Sequence, residues 1–560
     1  MQENQPIEND SLTMNRLKNL SRVEHEEFDL CIIGGGATGL GCALDAALRG
    51  FKVVLMERDD FASATSSKST KLFHGGVRYL EQAVKKLDME QFRMVNKALN
   101  ERKTLIKNAP HLAQPLALLT PCYSWWEGIY YAIGLKIYDW LAGKTNLASS
   151  EWLSKKAALR RVPQLNEKRL KSAVLYFDGH FDDTRYALAI AKTADSKGAV
   201  LLNHVETLGF TRNTEGVLTG LQVRETLNDE DYLIKAKLFV NATGPFSDRI
   251  RQLANPKAAT RMRVSKGVHL VLPRDLMPGD TAVLIPKTDD GRVIFMLPWQ
   301  RRLLVGTTDE ECKLTEKEIA LEKDDVAYLL KYVNRYFNKE IKPEQVKSGF
   351  GGLRPLLQAD PSEDAKSLVR DHEVEVDKTS GLISIMGGKW TTYRLMAKDT
   401  IDKCEQILRG DISECATDKQ LLIGAENWVK DDYKRLARKF GIPEYVTRRL
   451  NRRYGTEAIK VLMMIWKDPT LRHPIVHGSP IIKAEVLYVT IHEMPCNLKD
   501  LMSRRLGLEL TDWQQTLDVM STVASLMQEA LWFSSTERER MIALYQKEII
   551  EFKRTAGFEI

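Results

Sequence analysis

The pattern of hydrophobic and polar positions divides the chain into parts with two different periodicities. Between about residues 28 and 410, short apolar runs with β-branched residues alternate with helix-like segments and glycine turns. From about residue 411 onward, apolar residues recur at helical spacing instead. The pattern predicts an α/β region, 28–410, and a C-terminal helical domain, 411–560. Residues 1–27 lack an apolar core, resemble neither a secretory signal nor a transit peptide, and are predicted to be a flexible leader.

The C-terminal part contains five segments with helical periodicity. They cover residues 429–440, 457–466, 481–506, 511–533 and 536–552. Thr511-Asp512 and Ser535-Thr536 are typical signals for the start of a helix, and Gly507 is a typical stop signal. These segments predict a bundle of helices.

The first apolar run of the chain leads into a glycine-rich turn. Residues 28–33 are typical of a strand, Gly34-Gly-Gly36-Ala-Thr-Gly39 follows with the spacing G-x-G-x-x-G, and residues 40–49 are helix-like. Gly34 permits a tight turn, Gly36 lets the backbone approach a pyrophosphate, and Gly39 lets the helix pack closely on the strand. The positive end of the helix favours the diphosphate. This order of elements predicts a dinucleotide site.

An acidic residue and a hydroxyl-rich loop narrow the choice of dinucleotide. The second apolar run, 52–56, ends at Glu57. A carboxylate at this point accepts hydrogen bonds from the ribose hydroxyls, which favours FAD or NAD over NADP. The loop 62–71 is rich in Ser and Thr and leads into the His-Gly-Gly run 74–76. Dense hydroxyls and glycine backbone suit the phosphates and ribityl chain of a flavin, although an ordinary solvated loop is the alternative.

Composition excludes several other classes of protein. Hydrophobic residues make up 43% of the chain and charged residues 28%, as in ordinary globular proteins. The net charge of +7 is too small on so large a surface to indicate a nucleic-acid partner. The seven cysteines are scattered and contain no C-x-x-C pair, so the sequence indicates neither a disulfide framework nor a metal site.

The most apolar and aromatic stretch of the chain is 115–143. Glu127, Lys136 and Asp139 interrupt it, so that no run reaches the roughly 18 apolar residues that a spanning helix needs. Its Trp and Tyr side chains suit a membrane interface, where an apolar ring and a polar tip are both satisfied. The stretch therefore predicts either an anchor that lies in the plane of a membrane surface or a buried helix and loop.

Several longer strings carry a family resemblance. They are TSSKSTKLFHGGVRYL, KKLDMEQFRMVNKALNER, VNATGPFSD, GRVIFMLPWQ with VGTTD, G-LRPLL and GGKWTTYR. In this order they resemble FAD-dependent glycerol-3-phosphate dehydrogenase, most closely its mitochondrial type, and residues 484–488 and 500–506 resemble the C-terminal domain of that family. Animal mitochondrial members carry EF-hands, but this sequence has no D-x-[DN]-x-[DN]-G loop, so calcium control is not expected.

The resemblance implies a composite architecture. A Rossmann-like FAD-binding domain of the glutathione-reductase/amino-acid-oxidase type would be interleaved with an α+β substrate domain and followed by the helical domain. The FAD-binding parts are expected at about 28–80, 170–255 and 360–410. The substrate-binding parts are expected at about 80–170 and 255–360.

The resemblance also implies an activity. The expected reaction is the oxidation of sn-glycerol 3-phosphate to dihydroxyacetone phosphate, with FAD as the hydride acceptor and a membrane quinone as the next electron acceptor. A peripheral enzyme on the cytoplasmic face of the cell membrane is expected, and a homodimer is compatible with it. The alternatives are a soluble oxidase that makes hydrogen peroxide, an amino-acid oxidase of the same fold, and a flavin-binding scaffold that would have lost the site residues.

The matching motifs assign binding roles to individual residues. The residues expected to bind FAD are Gly34, Gly36, Thr38, Gly39, Glu57, Thr65, Ser66, Ser67, Ser69, His74, Gly75, Gly76, Val205, Gly244, Gly388, Lys389 and Thr391. The residues expected to bind the substrate are Arg78, Tyr79, Arg354, Arg370 and Thr392. Arginine suits the phosphate because its planar fork gives two parallel charge-assisted hydrogen bonds.

Four residues are candidates for catalysis. His269 is the preferred base because an unperturbed histidine, with a pKa of about 6.5, exchanges protons near neutral pH. A hydrogen-bonded core histidine is the alternative interpretation of its alternating, apolar surroundings. His74 would position the flavin ring, and Arg354 would assist deprotonation electrostatically, although the sequence leaves these roles open. Lys389 would stabilise the negative charge that develops on the reduced flavin.

Overall fold

The computed structural model describes residues 14–73, 89–358 and 372–559. The α/β part contains helices and strands that follow one another as α1 (Arg16–His25), β1 (Glu27–Ile33), α2 (Ala37–Leu48), β2 (Val53–Met56), β3 (Leu72–Phe73), α3 (Met89–Asn108), β4 (Ala113–Cys122), α4 (Trp125–Ala142), β5 (Glu151–Ser154), α5 (Lys155–Arg161), β6 (Ser172–Phe181), α6 (Asp183–Ser196), β7 (Val200–Leu202), β8 (Val205–Arg212), β9 (Leu218–Glu225), β10 (Glu230–Asn241), α7 (Ser247–Ala254), β11 (Met262–Pro273), β12 (Ala282–Ile285), β13 (Ile294–Trp299), β14 (Arg302–Gly306), β15 (Glu310–Cys312), α8 (Lys323–Tyr336), β16 (Ser348–Leu357), β17 (His372–Val376), β18 (Ile383–Gly387) and α9 (Tyr393–Arg409).

Within the described residues, the regular elements of the C-terminal part are all helices, and one isolated β-bridge pairs Pro474 with Ile482. This part contains α10 (Asp432–Phe440), α11 (Glu444–Tyr454), α12 (Ala458–Lys467), α13 (Lys483–His492), a π-helix (Asp500–Arg505), α14 (Trp513–Leu531) and α15 (Ser535–Thr555). A continuous buried core joins these helices to the second of the two sheets described below, through residues such as Leu270, Val446 and Leu501.

The first sheet has β1 at its centre. Its strands lie in the order β17-β18-β10-β1-β2-β7, and the β8-β9 hairpin extends from β10. β1 runs parallel to both β2 and β10. β2 is entirely apolar, and β1 and β10 become apolar and buried toward their carboxyl ends, where both faces of the sheet are covered. The carboxyl ends of the three strands meet where Gly34 N–H donates to Met56 O and Ala242 N–H donates to Ile33 O. In open α/β sheets, ligands bind at such an edge.

The second sheet is largely antiparallel. Its strands lie in the order β15-β11-β14-β13-β12-β4-β6-β3, with β16 paired to β11 and β5 paired to β6. Among the described strands of this second sheet, only β12 and β4 pair in parallel. β6 belongs to this sheet, although the sequence predicts residues 170–255 as part of the FAD-binding domain. The two sheets and the C-terminal helices confirm the predicted fold class of an α/β part followed by a helical part.

Two expectations differ from the structure at the level of single elements. α1 lies within the predicted flexible leader, but it is a packed helix whose Asn19 and Val23 side chains are buried. The predicted helix 481–506 is divided into α13 and the π-helix, because Pro495 lies between them and has no N–H to continue a helical ladder. α11 is a further helix that the periodicity did not predict.

Candidate active site

The glycine turn after β1 is shaped by close backbone contacts. Gly34 has a φ of +109°, which favours glycine, and a Cβ atom on Gly39 would lie 1.9 Å from the carbonyl oxygen of Gly34. Gly36 is the N-cap of α2 and makes no side-chain capping hydrogen bond. The first turn of α2 therefore points backbone N–H groups at the carboxyl edge of the sheet, where they suit an anionic diphosphate.

A cleft of about 1320 Å³, including the part open to solvent, lies along this edge. Of the residues expected to bind FAD, those that line the cleft are Gly34, Gly36, Thr38, Glu57, Thr65, Ser66, Val205, Gly244, Gly388 and Lys389. Gly39, Ser67, Ser69 and Thr391 do not line it. The glycine cradle, the helix terminus and the acid at the end of β2 fit a bound FAD molecule.

Glu57 ties the end of β2 to the glycine turn. Its Oε2 accepts a hydrogen bond from Gly35 N–H at 2.6 Å, and its Oε1 accepts one from Asp59 N–H at 2.9 Å. Burial raises the pKa of Glu57 to about 7. Val205 N–H donates to the carbonyl oxygen of Glu57, which brings the start of β8 to the same end of the cleft.

Some residues of the hydroxyl-rich loop line the cleft, and others hold the loop in place by binding a buried aspartate. Ser66 faces the cleft, and its Oγ accepts a hydrogen bond from Ala37 N–H at 2.9 Å. Ser69 and Lys71 instead bind the buried Asp183, at 2.7 Å from Ser69 Oγ and 2.6 Å from Lys71 Nζ. Ser69 therefore holds the loop in place in this structure, whereas the sequence predicts a contact with FAD.

Ser67, another predicted FAD ligand, also supports the loop from within. It is buried, and its carbonyl oxygen accepts a hydrogen bond from Lys71 Nζ at 2.6 Å. Thr65 lines the cleft but donates its hydroxyl to Leu353 O on β16 at 2.6 Å. The loop thus connects the first sheet to the second.

His269 lies on β11 and is almost completely buried. Its Nε2 lies 2.9 Å from Thr70 Oγ1, and its ring stacks on Phe350 with a centroid separation of 5.1 Å. Burial, followed by the positive charges of Lys71 and Arg354, lowers the pKa of His269 well below 6.5. The imidazole is therefore neutral at physiological pH. The residue does not line the cleft among the described residues.

Arg354 lies on β16, beside the strand that carries His269. Its Nη1 donates to Asp309 Oδ1 at 2.9 Å and to Lys266 O at 3.3 Å. Its Nη2 donates to Thr307 Oγ1 at 3.0 Å and to Thr308 O at 2.9 Å. The guanidinium is thus oriented by the β14-β15 turn and is paired with a carboxylate. An anion that binds to these nitrogens has to compete with Asp309.

Lys389 follows β18 at the opposite wall of the cleft. Gly387 and Gly388 precede it with φ values of +74° and +81°, so the backbone makes a turn that favours glycine. Thr392 Oγ1 donates to the carbonyl oxygen of Lys389 at 3.3 Å, and Thr391 is buried beneath the turn. These two hydroxyl residues support the Lys389 turn in the structure.

Six predicted site residues fall outside the described part of the chain. They are His74, Gly75, Gly76, Arg78, Tyr79 and Arg370.

Two protein families match successive parts of the chain. The family described as FAD dependent oxidoreductase matches residues 29–394, and the family described as C-terminal domain of alpha-glycerophosphate oxidase matches residues 415–538. The chain is 42% identical to the probable mitochondrial glycerol-3-phosphate dehydrogenase of Caenorhabditis elegans, over 94% of this chain and 73% of that protein. It is 40% identical to the mitochondrial glycerol-3-phosphate dehydrogenase of Homo sapiens, over 92% of this chain and 72% of that protein.

The chain belongs to the FAD-dependent glycerol-3-phosphate dehydrogenase family. Its FAD-binding fold and its FAD cofactor are those of that family.

Solved structures extend the similarity to three dimensions. The glycerol-3-phosphate dehydrogenase of Bacillus halodurans, solved in complex with FAD, has a TM-score of 0.80 and 29% identity, and the alignment covers 98% of this chain and all of that one. The L-alpha-glycerophosphate oxidase of Mycoplasma pneumoniae has a TM-score of 0.54 and 18% identity, over 70% of this chain and 96% of that one. The second similarity concerns the fold alone.

Some residues around the site of this family member were not predicted from the sequence. Asp183 supports the hydroxyl-rich loop, and Asp309 pairs with Arg354, yet neither was a candidate. Asp309 ends the VGTTD string, but it lies 45 residues before Arg354 along the chain, so no local pattern connects the two. Asp183 begins α6 and is more than 110 residues away from its partners along the chain, so no local pattern connects them.

Proposed function

We propose that this protein oxidises sn-glycerol 3-phosphate to dihydroxyacetone phosphate and passes the electrons to a quinone at a membrane surface. The observation that carries the reaction is the near-full-length similarity to proteins named glycerol-3-phosphate dehydrogenase. The cytoplasmic face of the cell membrane is the proposed location.

The residues proposed to hold FAD surround the cleft. The N-terminus of α2, with Gly36, would bind the diphosphate, and Glu57 would accept hydrogen bonds from the adenosine ribose. Ser66, Gly388 and Lys389 would contact the flavin half from two sides of the cleft. FAD, when bound, accepts the hydride from the alcohol carbon of the substrate.

His269 is proposed to accept the hydroxyl proton of the substrate. A base must be unprotonated before the reaction, and the depressed pKa of His269 keeps its imidazole neutral. Thr70 and Phe350 hold the ring in one orientation. A base with few rotamers loses little entropy when the substrate arrives.

Arg354 is proposed to bind an anionic part of the substrate. Its fork is already oriented by Thr307, Thr308 and Asp309, so binding a phosphate does not require the side chain to be ordered. The phosphate would replace Asp309 as the partner of the guanidinium.

Contact with a membrane is supported by the exposed face of α4. Trp126 and Trp140 are 81% and 79% exposed, and Ile133 lies between them at 57%. The opposite face, with Leu135 and Tyr138, is buried. A surface helix that is apolar on both faces suits an interfacial position, with one face in the protein and one in the lipid. Within the described ranges of the chain, no helix is long and apolar enough to cross a membrane.

An anaerobic reduction experiment tests the reaction. Purified holoenzyme is mixed with sn-glycerol 3-phosphate, and the visible absorbance of the oxidised flavin is followed. We expect that absorbance to disappear, and no change with an amino acid as substrate. Reoxidation by a quinone analogue, compared with reoxidation by oxygen and the hydrogen peroxide formed, then decides the electron acceptor. A flavin that stays oxidised with glycerol 3-phosphate contradicts the proposed substrate.

A further inference from the structure

A buried aspartate connects the FAD cleft to the C-terminal helices. Asp60 follows Glu57 in the turn after β2 and is completely buried. Its Oδ1 accepts hydrogen bonds from Arg505 Nη2 at 2.8 Å and from Asn203 Nδ2 at 2.9 Å. Its Oδ2 accepts hydrogen bonds from Arg504 Nε and Arg505 Nη1. Two consecutive arginines of the C-terminal domain thus bind one carboxylate in the turn after β2.

The two arginines are themselves fixed in the π-helix. Arg504 Nη2 binds Asp500 Oδ1 at 2.5 Å, one turn earlier in the same helix. Arg505 is fully buried, and its Nε and Nη2 donate to Glu493 O at 3.1 and 2.8 Å. Removing either arginine from Asp60 would leave buried charges without a partner, which is strongly unfavourable. The arginines therefore fix the position of the carboxylate.

The turn that Asp60 belongs to also carries the acid of the FAD cleft. Asp60 lies only three residues after Glu57. Glu57 lines the cleft, and Asp60 is bound by Arg505 of the C-terminal helices. The next residues return to the glycine turn, where Ala62 N–H donates to Gly35 O at 3.0 Å. Asp59 O accepts a hydrogen bond from His204 N–H at 2.6 Å, which fixes the turn against the start of β8. A shift of Asp60 would displace Glu57.

We propose that Arg504 and Arg505 are positioning residues for FAD: they hold the 57–62 turn through Asp60, so that FAD is retained only when the C-terminal helices are docked. This inference rests on the proposed position of the adenosine ribose at Glu57. It assigns a role to the DLMSRR segment, 500–505, which the reaction itself does not use. The arginines do not touch FAD and act through the turn.

Thermodynamic linkage makes the coupling reciprocal. If docking of the C-terminal helices tightens FAD binding, FAD binding must stabilise that docking by the same factor. A purely structural ion pair would behave differently, because its loss would lower the melting temperature and leave the affinity for FAD unchanged. FAD retention and thermal stability therefore separate the two roles.

Arg505→Gln, Arg505→Lys and Asp60→Asn test the inference. Holoenzyme is diluted, and the release of FAD is followed by its fluorescence to give a dissociation constant. We expect Arg505→Gln and Asp60→Asn each to raise that constant at least about tenfold, with Arg505→Lys in between. The double variant Asp60→Asn with Arg505→Gln should bind FAD only slightly more weakly than either single variant, because both substitutions remove the same contact.

Arg302→Gln is the matched control. It breaks another ion pair between the α/β part and the C-terminal helices, Arg302 Nη2 to Asp512 Oδ2 at 2.7 Å, which does not involve the 57–62 turn. We expect it to lower the melting temperature and to leave FAD affinity unchanged. The inference is overturned if Arg302→Gln releases FAD as readily as Arg505→Gln. Asp60→Asn keeps the size of the side chain, so normal FAD affinity in this variant also overturns it, even where Arg505→Gln fails to fold.

Glu57→Ala distinguishes this inference from the proposed FAD site. If Glu57→Ala leaves the FAD dissociation constant unchanged, the proposed position of the ribose is wrong. If Glu57→Ala weakens FAD binding and the Arg505 and Asp60 variants do not, only the coupling to the C-terminal helices is wrong. Hydrogen exchange at residues 500–506 provides the reciprocal readout, and we expect slower exchange in the presence of FAD.

Discussion

The carboxylate of Glu57 accepts a hydrogen bond from the backbone N–H of Gly35 at 2.6 Å. This contact joins the acid at the end of β2 to the turn at the end of β1. Because the group is buried, its pKa rises to about 7, and close to neutral pH it is only partly ionised before FAD binds. Ribose hydroxyls donate hydrogen bonds, so they favour the ionised form of this carboxyl group.

FAD retention is therefore expected to depend on pH through Glu57. Above pH 7 the carboxylate is ionised before FAD binds, whereas at lower pH binding first has to release a proton. We expect the FAD dissociation constant to rise up to about tenfold between pH 8 and pH 6. Glu57→Gln should remove this dependence, because an amide does not titrate in this range. Release of FAD from diluted holoenzyme gives the dissociation constant of the unchanged protein and of the variant at each pH. An identical pH dependence in Glu57→Gln would falsify the assignment of this dependence to Glu57.

The stability of the FAD-free fold should change with pH in the opposite direction. A carboxyl group with a raised pKa in the folded state binds its proton more tightly there than in the unfolded chain. Its contribution to folding is therefore present at low pH and is lost as the pH rises toward 7.

Alanine substitutions at two glycines of the turn are expected to impair different properties, the stability of the fold in one case and FAD binding in the other. In Gly39→Ala, the new Cβ would lie 1.9 Å from Gly34 O, so the backbone must move, at a cost of about 1–3 kcal/mol or more. In Gly36→Ala, the nearest atom would be Ser66 Oγ at 3.2 Å, which a small shift accommodates. We expect Gly39→Ala to lower the melting temperature with or without FAD. Gly36→Ala should mainly weaken FAD binding, and equal losses of stability in both variants would contradict this distinction.

The sequence was sufficient to predict the ligand-binding edge of the first sheet, because the residues that indicate this edge are close together along the chain. The strand, the G-x-G-x-x-G turn, the helix and Glu57 lie within about thirty consecutive residues, and each element restricts the next. The division of the 481–506 helix also had a local signal in Pro495, which the helical periodicity of the flanking residues outweighed in the interpretation.

The supporting contacts of the site could not be predicted in this way. Asp60 binds arginines more than 440 residues away, and Asp183 binds Ser69 and Lys71 from the start of α6. Each of these acids looks like an ordinary surface residue in its own segment. Only the packing of the C-terminal helices and of α6 on the α/β part makes them buried partners.

Removal of the carboxylate that competes for Arg354 is expected to tighten substrate binding. Asp309→Asn keeps the size of the side chain and removes its charge, so the guanidinium would be less occupied when the substrate phosphate arrives. We expect the KM for glycerol 3-phosphate to fall severalfold. Arg354→Ala should raise it by roughly 10- to 100-fold, the range for a lost charge-assisted hydrogen bond. Steady-state rates at several substrate concentrations measure both.

Arg263→Gln provides the control for Arg354. Arg263 also lies in the second sheet and pairs with a carboxylate, that of Glu311, at 3.6 Å, whereas the β14-β15 turn orients the guanidinium of Arg354. The Arg263→Gln variant is expected to have an unchanged KM for glycerol 3-phosphate. If Arg354→Ala and Arg263→Gln have the same KM, Arg354 does not bind the phosphate.

His269 is expected to act as a base below the pH at which an ordinary histidine is protonated. Its pKa is held well below 6.5, so proton acceptance should continue at pH 6. We expect the rate of flavin reduction to be nearly constant between pH 7.5 and 6. His269→Asn should lower that rate by roughly 10²- to 10⁴-fold without releasing FAD. Single-turnover absorbance measurements under anaerobic conditions follow this rate directly.

His111→Asn is the matched control for His269. His111 is also buried, and burial lowers its pKa to about 3, but it lies beside Trp428, whereas His269 lies on β11 beside Thr70 and Phe350. A normal rate of flavin reduction is expected in this variant. If both variants slow the reaction equally, the loss reflects the removal of a buried histidine, and the base lies elsewhere.

The exposed tryptophans of α4 are expected to determine membrane binding. Trp126→Ser with Trp140→Ser removes two rings that are about four-fifths exposed and leaves the buried face of the helix intact. Because each ring would contribute apolar area to the interface, we expect the affinity for lipid vesicles to fall roughly tenfold or more.

Trp532→Ser is the control, because Trp532 is 81% exposed on the C-terminal helices and its replacement should not affect membrane binding. Co-sedimentation with anionic vesicles measures the affinity, and activity with a water-soluble quinone should be unchanged in all variants. Equal losses in the Trp532 and α4 variants would assign the effect to surface hydrophobicity in general and would refute α4 as the contact.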